Sequence, residues 1–155
     1  MANYNVEKFK IGACAVTYKG NVLGATGGGV KLDLDMDTYD VKCDQSFNQP
    51  MKRIVTAVKL EITIPLMEID TGFGLMLDSG GKITDARIGA DLFFGNGVLI
   101  LSPVDANDTV GYSFPKAVID PHFSYRFDSD KNHILELKFT ALADTNGVFM
   151  EKISV

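Results

Sequence analysis

The 155-residue sequence predicts a single, mainly β domain: a β-sandwich or barrel with one short flanking α-helix and one long inter-strand loop. Two segments alternate strictly between apolar and polar residues, which is the period of a half-buried strand. Further apolar segments of strand length follow at regular spacing, separated by turn signals such as the Asn-Gly pairs at 96–97 and 146–147. Only residues 66–78 have the three-to-four residue spacing of a helix.

The two alternating segments cover residues 30–37 and 57–66. In the first, one face of the predicted strand is apolar and the other is charged, with Val30, Leu32, Leu34 and Met36 opposite Lys31, Asp33, Asp35 and Asp37. The second segment places Val58, Leu60, Ile62, Ile64 and Leu66 opposite Lys59, Glu61, Thr63 and Pro65. Pro65 cannot donate a ladder hydrogen bond, so we expect this strand to end there or to lie at an edge.

The rest of the chain supplies further predicted strands, at residues 11–18, 97–104, 112–118, 122–127, 134–142 and 148–155. The polar segment 39–52 joins the two alternating strands and is too long for a tight turn, so we predict a long loop with a functional role. Residues 1–10 form a predicted N-terminal arm. The chain contains no linker or repeat, and we interpret residues 1–155 as one domain.

Composition and charge argue against several classes of function. The net charge of −5 does not suit a protein that binds nucleic-acid phosphates, which needs a basic surface. The first residues lack the basic and apolar regions of a signal peptide, and no apolar run approaches the length of a membrane span. Two cysteines, Cys14 and Cys43, make no disulfide framework, so the sequence predicts a reducing cytoplasm.

Two triplets typical of aspartic proteases, Asp70-Thr71-Gly72 and Asp78-Ser79-Gly80, lie close together. A protease dyad needs two carboxylates that meet across a two-fold axis and share a proton. Two triplets on one short segment cannot supply both, although a homodimer that uses Asp70 alone stays open as a distant alternative. We interpret the triplets as helix-capping and turn residues, with Asp70 or Thr71 at the start of a short helix and Gly80-Gly81 at its end.

No other segment has the spacing of a catalytic or ligand-binding motif. The glycine-rich residues 24–29 lack the Gly-Lys-Ser/Thr ending of a phosphate loop. His122 and His133, the only histidines, have no metal-ligand spacing. Alternate carboxylates of residues 33–37 would lie about 6.6–6.8 Å apart on a strand, too far to wrap one calcium ion. We therefore predict no catalytic residue, no metal and no cofactor, and a protein that is not an enzyme.

Four segments together resemble the tail tube proteins, or major tail proteins, of tailed bacteriophages. They occur in the family's order along most of the chain: Ile11 to Val30, which contains Leu23-Gly24-Ala25-Thr26-Gly27-Gly28-Gly29 between two strands; Ile62 to Leu66 before a short helix; Tyr112 to Val118; and Leu137 to Phe149. The predicted helix departs from the family, because Gly72 and Gly74 stand where the family's helix is richer in Leu and Ala.

The resemblance implies a structural protein of the virion. Six such subunits form a ring, and the rings stack into a tail tube through which DNA is ejected into the host without specific binding. The implied partners are further copies of the chain and the tape measure, tail tip and terminator proteins, with no membrane. The implied location is the virion tail, after assembly in the bacterial host cytoplasm. The inner tube protein of a contractile tail or secretion apparatus is the alternative reading.

Two sets of site residues follow from the resemblance. We expect the charged faces of the two alternating strands to line the lumen, with Lys31, Asp33, Asp35, Asp37, Lys59 and Glu61. An acidic lumen would let DNA slide, because like charges repel. We expect the long loop to contact the neighbouring ring, through Asp40, Lys42, Cys43, Asp44, Gln45, Phe47 and Asn48.

Overall fold

The computed structural model describes residues 13–77, 81–91, 95–105, 107–127 and 129–155. The strands are β1 (Cys14–Tyr18), β2 (Asn21–Val22), β3 (Lys31–Val41), β4 (Lys52–Leu66), β5 (Gly97–Pro103), β6 (Val110–Tyr125), β7 (Leu135–Leu142) and β8 (Glu151–Ser154). The helix α1 (Ile69–Met76) follows β4, and short 3-10 turns occupy Asp44–Ser46 and Asp85–Arg87. The predicted N-terminal arm, 1–10, and the Asp78-Ser79-Gly80 triplet lie outside the described residues.

The strands form one antiparallel sheet in the order β2-β1-β5-β6-β7-β4-β3, and β8 pairs with the beginning of β6. The predicted mainly β class with one short helix is confirmed. The sheet folds over on itself, because Tyr18 of β1 and Phe139 of β7 meet edge to face at 4.8 Å although β5 and β6 lie between their strands. The Tyr18 hydroxyl also donates to the Ala117 carbonyl at 3.2 Å.

The core lies between the two halves of this folded sheet. Alternation buries every second residue of β4 from Leu60 onward, as the sequence predicts, and every second residue of β7: Leu60, Ile62, Ile64, Leu66, Leu135, Leu137, Phe139 and Ala141. Val16, Leu23, Leu99 and Phe114 close the core from the opposite half. Full burial of one such aliphatic or aromatic side chain contributes about 1.5–3 kcal/mol.

β6 is one long strand where the sequence predicts two, and the predicted division at residues 119–121 is wrong. Ile119 of β6 pairs with Phe139 of β7, and the next paired residue of β6, Phe123, pairs with Leu137. Four residue steps on β6 thus match two on β7, so the intervening residues of β6 form a bulge. Inside the bulge, the Asp120 carboxylate accepts a hydrogen bond from the His122 backbone N–H at 2.9 Å. The Asp-Pro pair therefore bends the strand instead of ending it.

β3 and β4 form a hairpin that is longer than predicted. Pairing continues from Leu32↔Ile62 to Val41↔Lys52, so the connecting loop is only 42–51 instead of 39–52. Thr56 is an extra residue opposite the step from Asp37 to Thr38, and its hydroxyl donates to the Asp37 carbonyl at 3.2 Å. Beyond this bulge, the face of β3 that carries Asp33 and Asp35 carries Tyr39 and Val41. The apolar and polar faces of the strand thus exchange sides, and the sequence pattern is interrupted although the strand continues.

α1 packs its middle against the sheet through a glycine. A Cβ at Gly72 would meet Leu135 Cδ2 at 2.6 Å and Leu66 Cδ1 at 3.0 Å, whereas a Cβ at Gly74 meets nothing within 4 Å. The predicted start at Asp70 or Thr71 is wrong, since the N-cap is Glu68 and Asp70 lies in the first turn. The helix also ends at Met76, before the predicted end at Gly80-Gly81. The Asp-Thr-Gly triplet is thus helical, and its glycine permits close packing of the helix.

Substitution of the two helix glycines should have opposite effects. We expect Gly72→Leu to lower the free energy of unfolding by about 1–3 kcal/mol, because the new side chain overpacks the contact with Leu66 and Leu135. The control Gly74→Leu should raise it by up to about 1 kcal/mol, because leucine is the better helix former. Urea denaturation measures both, and equal effects would contradict close packing at Gly72.

Candidate functional site

The hairpin of β3 and β4 carries an apolar face that the rest of the described chain does not cover. Leu32, Leu34 and Met36 of β3 pair with Ile62, Leu60 and Val58 of β4. On β4 this face is buried, with Leu60 only 3% exposed, but on β3 it is open, with Leu34 57% exposed. The apolar row thus runs continuously out of the core onto the surface, as is typical of an interface between subunits.

β3 is also an edge strand, at the end of the sheet order. Its eleven residues are exposed along nearly the whole length, apart from the half-buried Asp40. A long edge strand is a template for pairing with another chain, and charged side chains are one way by which proteins limit such pairing. The four charged residues predicted in this strand lie on the face opposite Leu32, Leu34 and Met36. One face of the edge strand is therefore charged, which limits pairing, and the other is apolar, which favours contact with another chain.

The structure brings the six predicted lumen residues together on one face of the hairpin. Asp33 pairs with Glu61, and Asp35 pairs with Lys59, so these side chains are cross-strand neighbours. The two facing carboxylates are balanced by ion pairs along each strand, Lys31 with Asp33 at 3.4 Å and Lys59 with Glu61 at 3.0 Å. Glu61 is half-buried and the other three side chains are exposed, so these pairs contribute little to stability. We call this surface the charged face.

β7 extends the charged face by two residues that the sequence analysis missed. Lys138 pairs with Thr63, and Glu136 pairs with Pro65, which places both side chains on the side of Glu61. The alternation in residues 135–142 was the available signal, since exposed and buried positions alternate there too. With these residues the face carries five carboxylates and three lysines, and it keeps an excess of negative charge.

The tip loop, residues 42–51, is folded into a defined shape by Ser46. The Ser46 hydroxyl lies 2.8 Å from the Cys43 carbonyl oxygen and 2.9 Å from the Gln49 carbonyl oxygen, and it can donate to either. It also accepts a hydrogen bond from the Cys43 N–H at 3.4 Å. The 3-10 turn then ends in two left-handed residues, Phe47 with φ 52° and Asn48 with φ 63°. Ser46 is not among the predicted loop-contact residues, although serine in a polar segment is a common turn residue.

Phe47 is the most prominent apolar group of the tip loop. Its side chain is 92% exposed. Left-handed backbone is unusual for a bulky residue and costs free energy. The loop therefore holds a large ring in solvent at the far end of the hairpin, where the isolated chain gains nothing from it.

An ion pair joins the two strands at the base of the tip loop. Arg53 Nε and Nη2 donate to the two oxygens of Asp40 at 2.6 and 3.1 Å. Hydrogen bonding to Arg53 holds the pKa of Asp40 below its ordinary value, with smaller contributions from the charges of Arg53 and Lys42. Asp40 therefore belongs to β3 and braces the hairpin, instead of lying in the loop as predicted. Arg53 was missed because the predicted strand began only at Ala57.

A group of aromatic rings lies at the opposite end of the hairpin from the tip loop. This aromatic cluster comprises Phe73 of α1, Phe123 and Tyr125 of β6, and Phe127 and His133 in the β6–β7 connection. Their rings meet edge to face at centroid distances of 4.8–5.9 Å. The Tyr125 hydroxyl lies 2.8 Å from His133 Nδ1. His133 is thus a member of this packed group of rings.

Among the described residues, no group of three or more His, Cys, Asp or Glu side chains is placed to hold a metal ion. Cys14 and Cys43 are free thiols, and burial raises the pKa of the Cys14 thiol. No helix within the described ranges is both long and apolar enough to span a membrane.

Comparison with known proteins gives a structural likeness without a sequence likeness. No protein-family profile and no curated protein matches the sequence. A chain of the sheath–tube complex of an extracellular contractile injection system (PVC), in the extended state, is similar over 97% of this chain and 95% of its own, with a TM-score of 0.58 and 12% identity. A chain of the sheath/tube terminator of the same kind of system is similar over 97% and 99%, with a TM-score of 0.57 and 14% identity.

The brace at the base of the tip loop can be tested by titration. We expect Arg53→Gln to raise the pKa of Asp40 toward the ordinary carboxyl range, because it removes the hydrogen bonds that favour the charged form. Lys42→Gln should raise it less, since Lys42 contributes only charge. NMR titration of the Asp40 carboxyl carbon in monomeric protein measures both shifts.

The sign of the linked stability follows from the same shift. A lowered pKa means that the pair stabilises the hairpin at neutral pH, and this contribution is lost as the pH falls below the ordinary carboxyl range. Equal pKa shifts in the two variants would show that the hydrogen bonds of Arg53 are not the main cause.

Proposed function

We propose that this protein is a structural, non-enzymatic subunit that assembles with copies of itself into a tube, of the kind found in contractile injection systems. The observation that carries the proposal is the apolar face that leaves the core on β4 and lies open on β3. An uncovered apolar face is unfavourable in a monomer, whereas a neighbouring subunit buries such a face in an assembly. Similarity of fold to tube and terminator chains over nearly the whole length supports the same conclusion.

In the proposed ring, the hairpin of each subunit is covered by its neighbour. The edge of β3 and its apolar side chains meet the next copy, and repetition around the ring closes the strands into an inner barrel without free edges. Six copies are the number that the resemblance to tail tube proteins implies. Rings of this kind then stack head to tail, which produces a filament because the contact does not close on itself.

The charged face lies inside the proposed barrel. When the apolar side of the hairpin packs on protein, its other side is left for the lumen. Five carboxylates against three lysines per subunit give this lumen a negative potential, which weakens the adhesion of any polyanion that passes.

A negatively charged lumen is compatible with the passage of DNA, and so with the second candidate function, a phage tail tube that conducts DNA. The structural likeness favours the contractile injection system over that reading.

The proposed partners follow from the assembly. The similar solved chains belong to complexes of tube with sheath and with terminator. By analogy, we propose a terminator at one end of this tube and a sheath around it, with tape measure and tip proteins as further tail components. A protease function has no support, because the Asp-Thr-Gly triplet lies within α1 and not in a loop that could face a second copy across a two-fold axis.

Electron microscopy of the purified protein tests the assembly directly. We expect rings or hollow tubes at high protein concentration. Replacement of residues 42–51 by Asn-Gly should leave a folded protein that forms no tubes, because Val41 and Lys52 are paired and a two-residue turn suffices to join them. Circular dichroism checks the fold of the shortened variant. Uniform small particles from the wild-type protein, at every concentration examined, would contradict the proposal.

Charge reversal tests the location of the charged face. We expect tubes of the triple variant Asp33→Lys, Asp35→Lys, Asp37→Lys to retain added double-stranded DNA and to protect it from nuclease, because the bound DNA would lie in the lumen. Wild-type tubes should neither retain nor protect it. Retention of DNA that stays sensitive to nuclease would place these residues on the outside of the tube.

A further inference from the structure

We propose that the tip loop of one subunit docks on the aromatic cluster of another copy in the adjacent ring, with Phe47 packed against Phe127. This inference rests on the proposed tube and adds the acceptor surface for the tip loop. Four observations carry it: the positions of the two surfaces, their exposed aromatic rings, a groove beside the acceptor ring, and their charges.

The two surfaces lie at opposite ends of the same hairpin. β4 begins beside the tip loop at Lys52 and ends at Leu66, which pairs with Leu135 of β7. Leu135 in turn pairs with Tyr125, the last residue of β6 and a member of the aromatic cluster. Fourteen residue steps of a strand span about 46 Å. When identical rings stack head to tail, one end of a subunit contacts the opposite end of a subunit in the next ring. The tip loop and the aromatic cluster lie at these two ends.

Each end presents a large aromatic ring to solvent. Phe47 is 92% exposed, and Phe127 is 80% exposed although it contacts Tyr125 and His133 edge to face. The Ser46 hydrogen bonds fix the backbone of the loop from which Phe47 projects, and Phe127 is held by its two ring neighbours. Contact between the two rings would bury large apolar area, and an edge-to-face pair adds about 0.5–1.5 kcal/mol beyond the burial.

A groove that includes Arg126, the residue before Phe127, offers room for an incoming side chain. It has a volume of about 430 Å³ and is lined by Gly27, Gly28, Met67, Arg126, Lys131 and Ile134. The two glycines leave its floor without side chains, and Met67 and Ile134 supply apolar contact. Met67 is exposed in the isolated chain, and docking of a second copy would cover it.

The charges of the two ends are complementary. The tip loop and the strand residue after it carry Lys42, Lys52 and Asp44. At the acceptor end, Glu68 and Asp70 lie at the start of α1, which is the helix that contributes Phe73 to the aromatic cluster. The groove itself carries Arg126 and Lys131, which are suited to Asp44. Both signs of charge on the tip loop thus have a partner of opposite sign, which favours this register of docking.

Cross-linking between engineered cysteines tests the contact. The full chain is prepared with Cys14→Ala and Cys43→Ser, and then with Phe47→Cys and Phe127→Cys together. In assembled protein, a short bis-maleimide linker should join subunits into a ladder of dimers, trimers and longer chains, because every subunit has one donor and one acceptor cysteine. The matched control, Phe47→Cys with the exposed Val22→Cys, should stay monomeric or stop at dimers.

A charge exchange in the otherwise native chain provides a second test that needs no cysteine background. We expect Lys42→Glu to abolish tubes at the concentration at which the wild type forms them, and the added substitution Asp70→Lys to restore them. A ladder, or a restoration, supports the contact. Tubes without a ladder, or loss without restoration, overturn it and leave the proposed function standing. Failure of the wild-type protein to form rings or tubes overturns both.

Discussion

The structure depends on one constraint: a sheet strand with an apolar face must find something to cover that face. On β4 the fold itself does so, because the opposite half of the sheet packs on Leu60 and Ile62. On β3 the same row continues through Leu34, one strand beyond the reach of the core. Burial of this row in a second copy is the simplest way to satisfy the constraint, and the proposed ring and its lumen are built on it.

The sequence predicts the inner part of this hairpin well and the outer part poorly, for one physical reason. Period-two alternation identifies a strand only while each face keeps its polarity. Residues 30–37 and 57–66 meet that condition. The structure has strands there, the first from Lys31, and their charged side chains share one face. Beyond the bulge at Thr56 the faces exchange character, so Asp40 and Arg53 read as loop residues although they are paired strand residues. A bulge depends on cross-strand pairing, which a single segment of sequence does not reveal.

The same limit explains the other differences. The sequence predicts two strands in place of β6, since Asp120-Pro121 lies between the two apolar segments, whereas pairing with β7 carries one strand across these residues. The helix was predicted from its spacing, but the role of Gly72 depends on Leu66 and Leu135, which only the tertiary packing brings to it. The aromatic cluster draws on residues 73 to 133, and no local pattern predicts that these rings meet. Local periodicity was sufficient for the fold class, whereas the surfaces required the structure.

The position of the tip loop at one end of the hairpin has a consequence for the size of the assembly. A subunit that docks by its tip on one neighbour presents its own opposite end, unchanged, to the next. Every addition therefore regenerates the surface that it consumes, and each step has the same free energy as the last. This contact alone therefore sets no limit on the number of stacked rings. In the proposed tube, the length must therefore be specified by another molecule, and an end can be closed only by a component that accepts one surface without offering the other.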